Sequence, residues 1–540
     1  MKRKQKINSV FFPLLCLLLF VLFYSFTGCK KNPKGNYILV TLDTQRADHL
    51  SCTHSKNANT PYFDSLAEEG ILYENCYALS PITLPSHGSI FFSQPPHQLK
   101  SYNNGHAIRE KRNRPSFVNV FRQKDYSTAA FVSLGVLKSK FGLAEGFDHY
   151  DDEFLAERWY LTAEEINQKV FLWLEKNRHQ DFFLWIHYSD PHEPYYPPDS
   201  PADLRLFLNG KLIGEYDLNK TLYQADIELI SGKNNLTFEL QDNFIKDSSL
   251  LRARFEILGI EEWEDHKGID VDFGQGWIFK QENDSVFLKP KGMVSVSNLS
   301  EPKTLTFSFR GNLVLPFHVK RDNYRKDVEY MDRKFGELIQ KLKSLGLMKK
   351  THILAVGDHG ESLGDYRNYS GEPHFGHIFF LYNVYMKVPL IVYNPFSEKR
   401  GIRIADPVSL LDIAPTVMDT MGFKDFPHFQ GTSLLDLSER DSGFIFQETF
   451  KPQAIRNKFA LLEYPFHLIF TPDSGKYELY DLETDPMEKK DLYKEKKTMK
   501  RIVLMQEVLD ETVRQVIRDK IEIQIDKDTE GMLKTLGYIK

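Results

Sequence analysis

Asn36–Leu50 reads NYILVTLDTQRADHL. Residues 37–42 form an unbroken apolar run, the pattern of a strand buried on both faces, and the run halts at Asp43. The same punctuation recurs twice. FFLWIHY, 182–188, runs into Asp190-Pro191-His192-Glu193-Pro194, and THILAVGD runs into Asp358-His359-Gly360-Glu361. In open parallel sheets the binding crevice lies at the carboxyl ends of the strands, so the three clusters are expected to meet at one sheet edge. A single acid ending a strand is commonplace; three such ends, each with His or Arg close by, are not.

Working outward, strand and helix patterns alternate. Thr60-Pro61 is expected to open a helix over PYFDSLAEEGILY, with Thr60 as N-cap and Pro61 at the first helical position. STAAFVSL (127–134) reads as a strand and AEEINQKVFLWLEKN (163–177) as a helix. The alternation predicts an α/β fold with a mostly parallel sheet flanked by helices, in two parts, 36–198 and 319–440. Between them, 199–318 changes texture. Asn209-Gly210 in LRLFLNGKLIGEYDL signals a hairpin, and ADIELI, NLTFEL, RARFEIL, GWIFK, SVFLK and TLTFSF are short runs without helical spacing. An all-β insert, a small sandwich, is expected there, as a spacer, a lid or a carbohydrate-binding module. From Asp322 a long amphipathic helix runs to Gly346, and VPLIVYN (388–394) is a further strand. The remainder, 441–540, reads as a small antiparallel sheet and a closing helix.

The 540 residues carry a net charge of −5, which gives no reason to expect nucleic acid as a partner. MKRKQK followed by 17 apolar residues, Val10–Phe26, reads as an export signal over 1–29. Phe26-Thr27-Gly28-Cys29 resembles a bacterial lipobox, which would make Cys29 the lipid-bearing residue of a periplasmic or cell-surface protein; an uncleaved membrane anchor is the alternative. Cys52 and Cys76 could pair after export, although small apolar fillers are their simpler role.

Asp43, Asp358 and His359 offer two carboxylates and an imidazole, a donor set for one divalent cation. SPITLPSHGSIFF adds Thr83, on a bend made by Pro85, with Ser86 placed to cap the following helix. The cluster is either a plain turn or a hydroxyl presented to the metal and to an anion at a helix N-terminus.

LDTQRADHLSC, TPYFDSLAEEGILYENCYA, ITLPSHGSIF, HYSDPHEPYYPP, VEYMDRKFGELIQKLKSLG, GDHGESLGD, VPLIVYNP and YELYDLETDP together resemble the sulfatases of the alkaline phosphatase superfamily, over about 36–198 and 320–493. GMLKTLGYI also looks like the end of bacterial members. The resemblance implies an alkaline-phosphatase-like fold and a metal site of Asp43, Thr83, Asp358 and His359, with Thr44 where a second acid is usual. The ion is calcium by resemblance, manganese or zinc by ligand chemistry. Thr83 matches the position normally oxidised to formylglycine, a conversion threonine cannot undergo. His87 matches that motif's arginine, His192 a substrate-side histidine, and His377 stands in for a sulfate-binding lysine. Arg46, His192 and His377 would stabilise the equatorial oxygens, and His192 or His377 would protonate the leaving oxygen. His374 is a further candidate, whereas Lys138 and Lys140 match poorly. The expected substrate is a small-molecule, glycan or lipid ester of sulfate or phosphate. Threonine nucleophiles in sister branches, the lipoteichoic acid synthases and phosphoethanolamine transferases, keep a phosphodiesterase or phosphoryl or phosphoglycerol transferase open. A non-catalytic surface binding module is the third reading.

Overall fold

The computed structural model describes residues 35–109, 115–154, 158–195, 197–198, 204–216, 218, 223–241, 253–260, 270–280, 285–289, 291–299, 301–424, 428–435, 443–451 and 456–539. The export segment with Cys29 and the expected boundaries at 199 and 441 lie outside these residues. Among the described residues no helix is long and apolar enough to cross a membrane.

The expected strand Asn36–Leu42 is the axis of a nine-stranded sheet, and all seven of its residues are buried, as an unbroken apolar run requires. It pairs in parallel with Thr351–Gly357 on one side and Phe182–Tyr188 on the other. Beyond Phe182–Tyr188 come Ser127–Phe131 and His149–Asp151, again parallel. In the other direction lie Lys387–Tyr393, Ile71–Tyr77 and Ile402–Ile404, with Val408–Ser409 also on Ile71–Tyr77. Lys387–Tyr393 is antiparallel to both its neighbours. Its apolar run is that of any strand buried on both faces, so direction was not legible in it.

Register then places the chemistry. Leu42 stands opposite both Gly357 and Tyr188, so the residues that follow, Asp43, Asp358 and Ser189, emerge side by side at one edge.

Helices cover both faces. Phe317–Ser344, Pro61–Glu68 and Ala163–Asn177 pack on one, around Phe63, Val170, Val328 and Phe335. Thr83–Phe92, Val118–Gln123 and Ile413–Thr420 pack on the other, around Phe91, Phe121 and Val417. The long helix begins at Phe317, five positions before the Asp322 expected from periodicity. Thr60 does flank a helix with Pro61 inside it, but makes no side-chain cap bond; its hydroxyl instead accepts from the Ser51 N–H at 2.8 Å.

Between Leu204 and Leu313 two five-stranded antiparallel sheets enclose Leu206, Leu236, Phe238, Phe255 and Phe307. Asn209 (φ 49°) and Gly210 (φ 82°) both take the left-handed conformation that a two-residue type I′ hairpin demands. Four further strands, Ile445–Thr449, Lys458–Glu463, Phe466–Thr471 and Lys476–Asp481, form an antiparallel meander. Helix Lys500–Arg518 lays Ile502, Met505, Leu509, Val513 and Val516, one helical stripe, against it. Neither Cys52 nor Cys76 is in a disulfide.

Candidate active site

Asp43, Asp358 and His359 are fully buried, and one ligand atom from each lies within 4.8 Å of the others. Hydrogen bonds identify the atoms that face inward. His187 Nδ1 accepts from the Ser133 N–H at 3.3 Å, so its proton sits on Nε2, which donates to Asp43 Oδ2 at 3.2 Å. Asp43 Oδ1 has no partner. Asp358 Oδ1 accepts from the N–H groups of Thr44 (3.2 Å) and His359 (2.7 Å), leaving Oδ2 without a hydrogen bond. His359 Nδ1–H donates to the Gly360 carbonyl at 3.0 Å, so Nε2 keeps its lone pair. Nε2 stands 3.4 Å from Asp358 Oδ2 and 3.3 Å from Thr83 Oγ1.

Two buried carboxylates this close repel. Burial, and then the charge of Asp43, push the Asp358 carboxyl well above its usual range. Burial acts upward on Asp43 too, but the His187 hydrogen bond and the nearby imidazoles outweigh it and hold that group below its usual range. Orphaned, buried oxygens on both acids beside an open imidazole nitrogen fit a divalent cation.

Thr83 opens helix Thr83–Phe92 and is fully buried. The helix starts at Thr83 itself. Pro85 lies in its first turn, where the backbone N–H has no intrahelical partner to lose. Ser86 is not a cap: its hydroxyl donates to the Asp358 carbonyl at 2.6 Å and ties the helix to the metal-facing loop. His87 Nδ1–H donates to the Thr83 carbonyl at 2.8 Å, while Nε2 accepts from the Thr41 hydroxyl at 3.0 Å, itself an acceptor for Trp185 Nε1–H. Burial pushes the His87 imidazole down to about 3, so the ring is neutral with both nitrogens engaged. It therefore positions Thr83 and does not replace an anion-binding arginine.

Arg46 departs from expectation in the same way. Its guanidinium donates to both oxygens of Asp48, to Asp365 Oδ2 and to the Glu361 carbonyl, a brace between two loops. Thr44 takes a left-handed φ of 54°, strained for a β-branched residue; its N–H turns back to Asp358 while its buried hydroxyl stays unpartnered.

The other two expected histidines do come to the site. The His377 ring lies 4.5 Å from that of His359 and 5.2 Å from that of His192. His377 Nδ1 is 3.3 Å from Glu361 Oε1, and Nε2 has no partner. Burial pushes the His377 imidazole well below its usual range, and burial with Glu193 nearby pushes the Glu361 carboxyl well above. His192 Nδ1–H donates to the Glu193 carbonyl at 2.7 Å; Nε2 accepts from the Tyr538 hydroxyl at 2.8 Å. His192, Glu361, His374, His377 and Tyr538 line a cavity of about 100 Å³. His374 stacks among Phe379, Phe380 and Tyr385. Lys138 lies over the Trp159 ring, in a separate groove of about 670 Å³.

Sequence reasoning missed His187 and Tyr538. A polar residue inside the otherwise apolar FFLWIHY is the signal for the first, and the helix stop Leu536-Gly537-Tyr538 for the second.

The sulfatase family profile matches residues 35–423, and the profile for the C-terminal part of N-sulphoglucosamine sulphohydrolase matches 371–515. The N-acetylglucosamine-6-O-sulfatase of Bacteroides thetaiotaomicron is 22% identical over 524 residues, covering 90% of this chain and 87% of that protein. An arylsulfatase of Clostridium perfringens is 21% identical over 498 residues, covering 88% and 94%. Among solved structures, one in complex with its substrate D-glucosamine-2-N,6-O-disulfate superposes with a TM-score of 0.61 at 17% identity, over 91% of this chain and all of that one. The phosphonate monoester hydrolase of Agrobacterium radiobacter gives 0.56 at 15%, over 90% and 96%. The alkaline-phosphatase-like arrangement of sheet and helices is thus shared with both. With its profile match spanning more than half of its length, the chain belongs to the sulfatase family, a family of sulfuric ester hydrolases.

Proposed function

We propose that this chain is an exported, metal-dependent hydrolase that uses Thr83 as nucleophile on a sulfuric ester, with a sulfated sugar as substrate. The observation that carries the reading is the Thr83 hydroxyl 3.3 Å from His359 Nε2, beside the unpartnered oxygens of Asp43 and Asp358. A cation held by Asp43, Asp358 and His359, with Thr83 beside it, would acidify the hydroxyl and draw charge from the sulfuryl oxygens.

The side chains supply the remaining work. His187 fixes Asp43, and His87 fixes the Thr83 carbonyl. Thr83, its hydroxyl proton lost to solvent because the cation would acidify it, attacks sulfur through Oγ1. The bond from sulfur to the leaving oxygen breaks, and the same alkoxide would be released at the end of the cycle. Glu361, kept protonated by burial, hands its proton to His377 Nδ1 as His377 Nε2 gives its own to the leaving oxygen. Water then attacks the sulfur of the threonyl ester, giving up a proton along the same pair in reverse, and releases sulfate. The Thr44 hydroxyl, buried without a partner, would donate to a sulfuryl oxygen.

A threonine hydroxyl in place of an aldehyde hydrate favours a second reading, hydrolysis or transfer at phosphorus. The test is purified enzyme assayed with manganese or calcium on 4-nitrophenyl sulfate, the matching phosphate and phosphodiester, and 6-O-sulfated N-acetylglucosamine. Sulfate release that disappears in Thr83→Ala supports the first reading. Faster turnover of a phosphorus ester supports the second. Wild-type rates in Thr83→Ala, or no metal and no turnover at all, reject both.

A further inference from the structure

Lys138 and Lys140, which take no part at the metal-facing cluster, line a second hollow of about 670 Å³. Three parts of the chain build it. The α/β core gives Lys138, Lys140 and Trp159, strand Lys303–Leu313 of the β insert gives Arg310, and helix Lys527–Thr535 gives Lys527 and Lys534. Among the described residues of this lining, Asp528 is the single carboxylate set against five cations. Two more acids stand close by: Lys140 lies 3.5 Å from Asp526, and Lys534 pairs with Glu530 at 2.7 Å. Both pairs are open to solvent and therefore weak, so the hollow keeps a positive field. The Lys138 ammonium lies over the rings of Trp159 at 5.1 Å and Phe154 at 5.8 Å, contacts that leave its charge uncancelled.

Helix Lys527–Thr535 is shaped to this hollow. Lys527, Gly531 and Lys534 fall at i, i+4 and i+7, one stripe on the side that lines it. Glycine is a poor helix residue. A Cβ on Gly531 would meet nothing within 4 Å, so close packing does not call for it. Its missing side chain keeps the floor of the hollow open.

The hollow adjoins the active site. Thr535 lines it, and the next residues, Leu536 to Tyr538, line the cavity of His192 and His377. Consecutive Cα atoms are about 3.8 Å apart, so a sugar chain with one unit at the metal-facing cluster brings its next units to the cations.

We propose that this hollow is a subsite for a second sulfated unit of an oligosaccharide substrate, a role that rests on the chain acting on a sulfated sugar. Its volume is that of a small-ligand site, and such sites gather where parts of a fold meet. The whole chain carries −5, so the positive field is local and favours an anion anchored next door over polyanions at large. Contacts this far from the reacting sulfur are the same in the ground state and the transition state. They lower KM and leave kcat.

The test uses the full chain with manganese or calcium. Its substrates are 4-nitrophenyl sulfate, 6-O-sulfated N-acetylglucosamine, and two tetrasaccharides ending in that sugar, one with sulfated and one with neutral inner units. For the sulfated tetrasaccharide a KM about tenfold below that of the monosaccharide is expected, with kcat within about threefold. Three variants should each erase the gain: Lys527→Gln with Lys534→Gln, Arg310→Gln on the opposite wall, and Gly531→Leu, which fills the floor. Turnover of the monosaccharide and melting temperature should stay at wild-type values. Gly531→Leu removes no charge and suits a helix better than glycine, so its effect reads blockage and not misfolding. Equal KM for the two tetrasaccharides, or a gain that survives all three variants, overturns the subsite. So does an oligonucleotide that competes as well as the sulfated tetrasaccharide, the mark of a general polyanion patch. No turnover of any sulfate ester refutes the hydrolase and the subsite with it. Turnover of 4-nitrophenyl sulfate or of the monosaccharide, without the gain on the sulfated tetrasaccharide, refutes the subsite alone.

Discussion

His187 offers the sharpest test of how the metal site is held. Its Nε2–H donates to Asp43 Oδ2 at 3.2 Å, and its Nδ1 accepts from the Ser133 N–H at 3.3 Å. The two contacts can be separated, since an Asn amide reaches about as far as the δ nitrogen and a Gln amide about as far as the ε nitrogen. His187→Asn should leave Asp43 Oδ2 without its donor inside a fully buried site. A buried acceptor stripped of its partner costs about 1–3 kcal/mol, and a supporting shell removed from a metal ligand typically lowers affinity about 10–100-fold. The two figures agree, because each tenfold in affinity is about 1.4 kcal/mol. His187→Gln keeps the donor and gives up only the Ser133 contact, so its affinity should stay within about threefold of wild type. Calorimetric titration of the metal-stripped protein with manganese and with calcium reads both, and melting temperature separates folding losses from binding losses. If His187→Asn binds either ion as tightly as wild type, the His187–Asp43 hydrogen bond is not what orients the ligand.

His87→Ala should reduce kcat while sparing metal affinity, because the lost contact is to the Thr83 carbonyl and the neutral ring carries no charge to lose; equal titration curves with a lowered rate check this. Arg46→Ala should lower stability by about 2 kcal/mol, seen as a fall in melting temperature and denaturation midpoint. That is less than for a fully buried ion pair, because Asp48 is open to solvent while Asp365 is mostly covered. A reductant should leave the melting temperature unchanged, since neither Cys52 nor Cys76 is in a disulfide. Chelation by EDTA should abolish turnover and lower the melting temperature by the lost binding linkage, both restored on adding the ion back.

Burial, hydrophobic period and turn chemistry are local, and they were legible along the chain. The run at 37–42, the helix at 163–177, the strand at 182–188 and the Asn209-Gly210 hairpin follow from side-chain spacing and from φ values that few residues tolerate. The convergence of Asp43 and Asp358 was legible too, because a parallel sheet carries successive strand ends to one edge. What a side chain does once it arrives there depends on partners far along the chain, and only the tertiary structure decided it. Arg46 and His87 looked like anion binders, but Asp48 and Asp365 had already claimed the Arg46 donors, and the Thr83 carbonyl and the Thr41 hydroxyl the two ring nitrogens of His87. His187 lay hidden in an apolar strand until register set it against Asp43. Tyr538 lies 346 residues from the histidine it contacts, a separation no local pattern spans. Sequence spacing governs which way a residue points along its own element; which donor meets which acceptor is settled by the packing of elements, and in a buried site that pairing sets the chemistry.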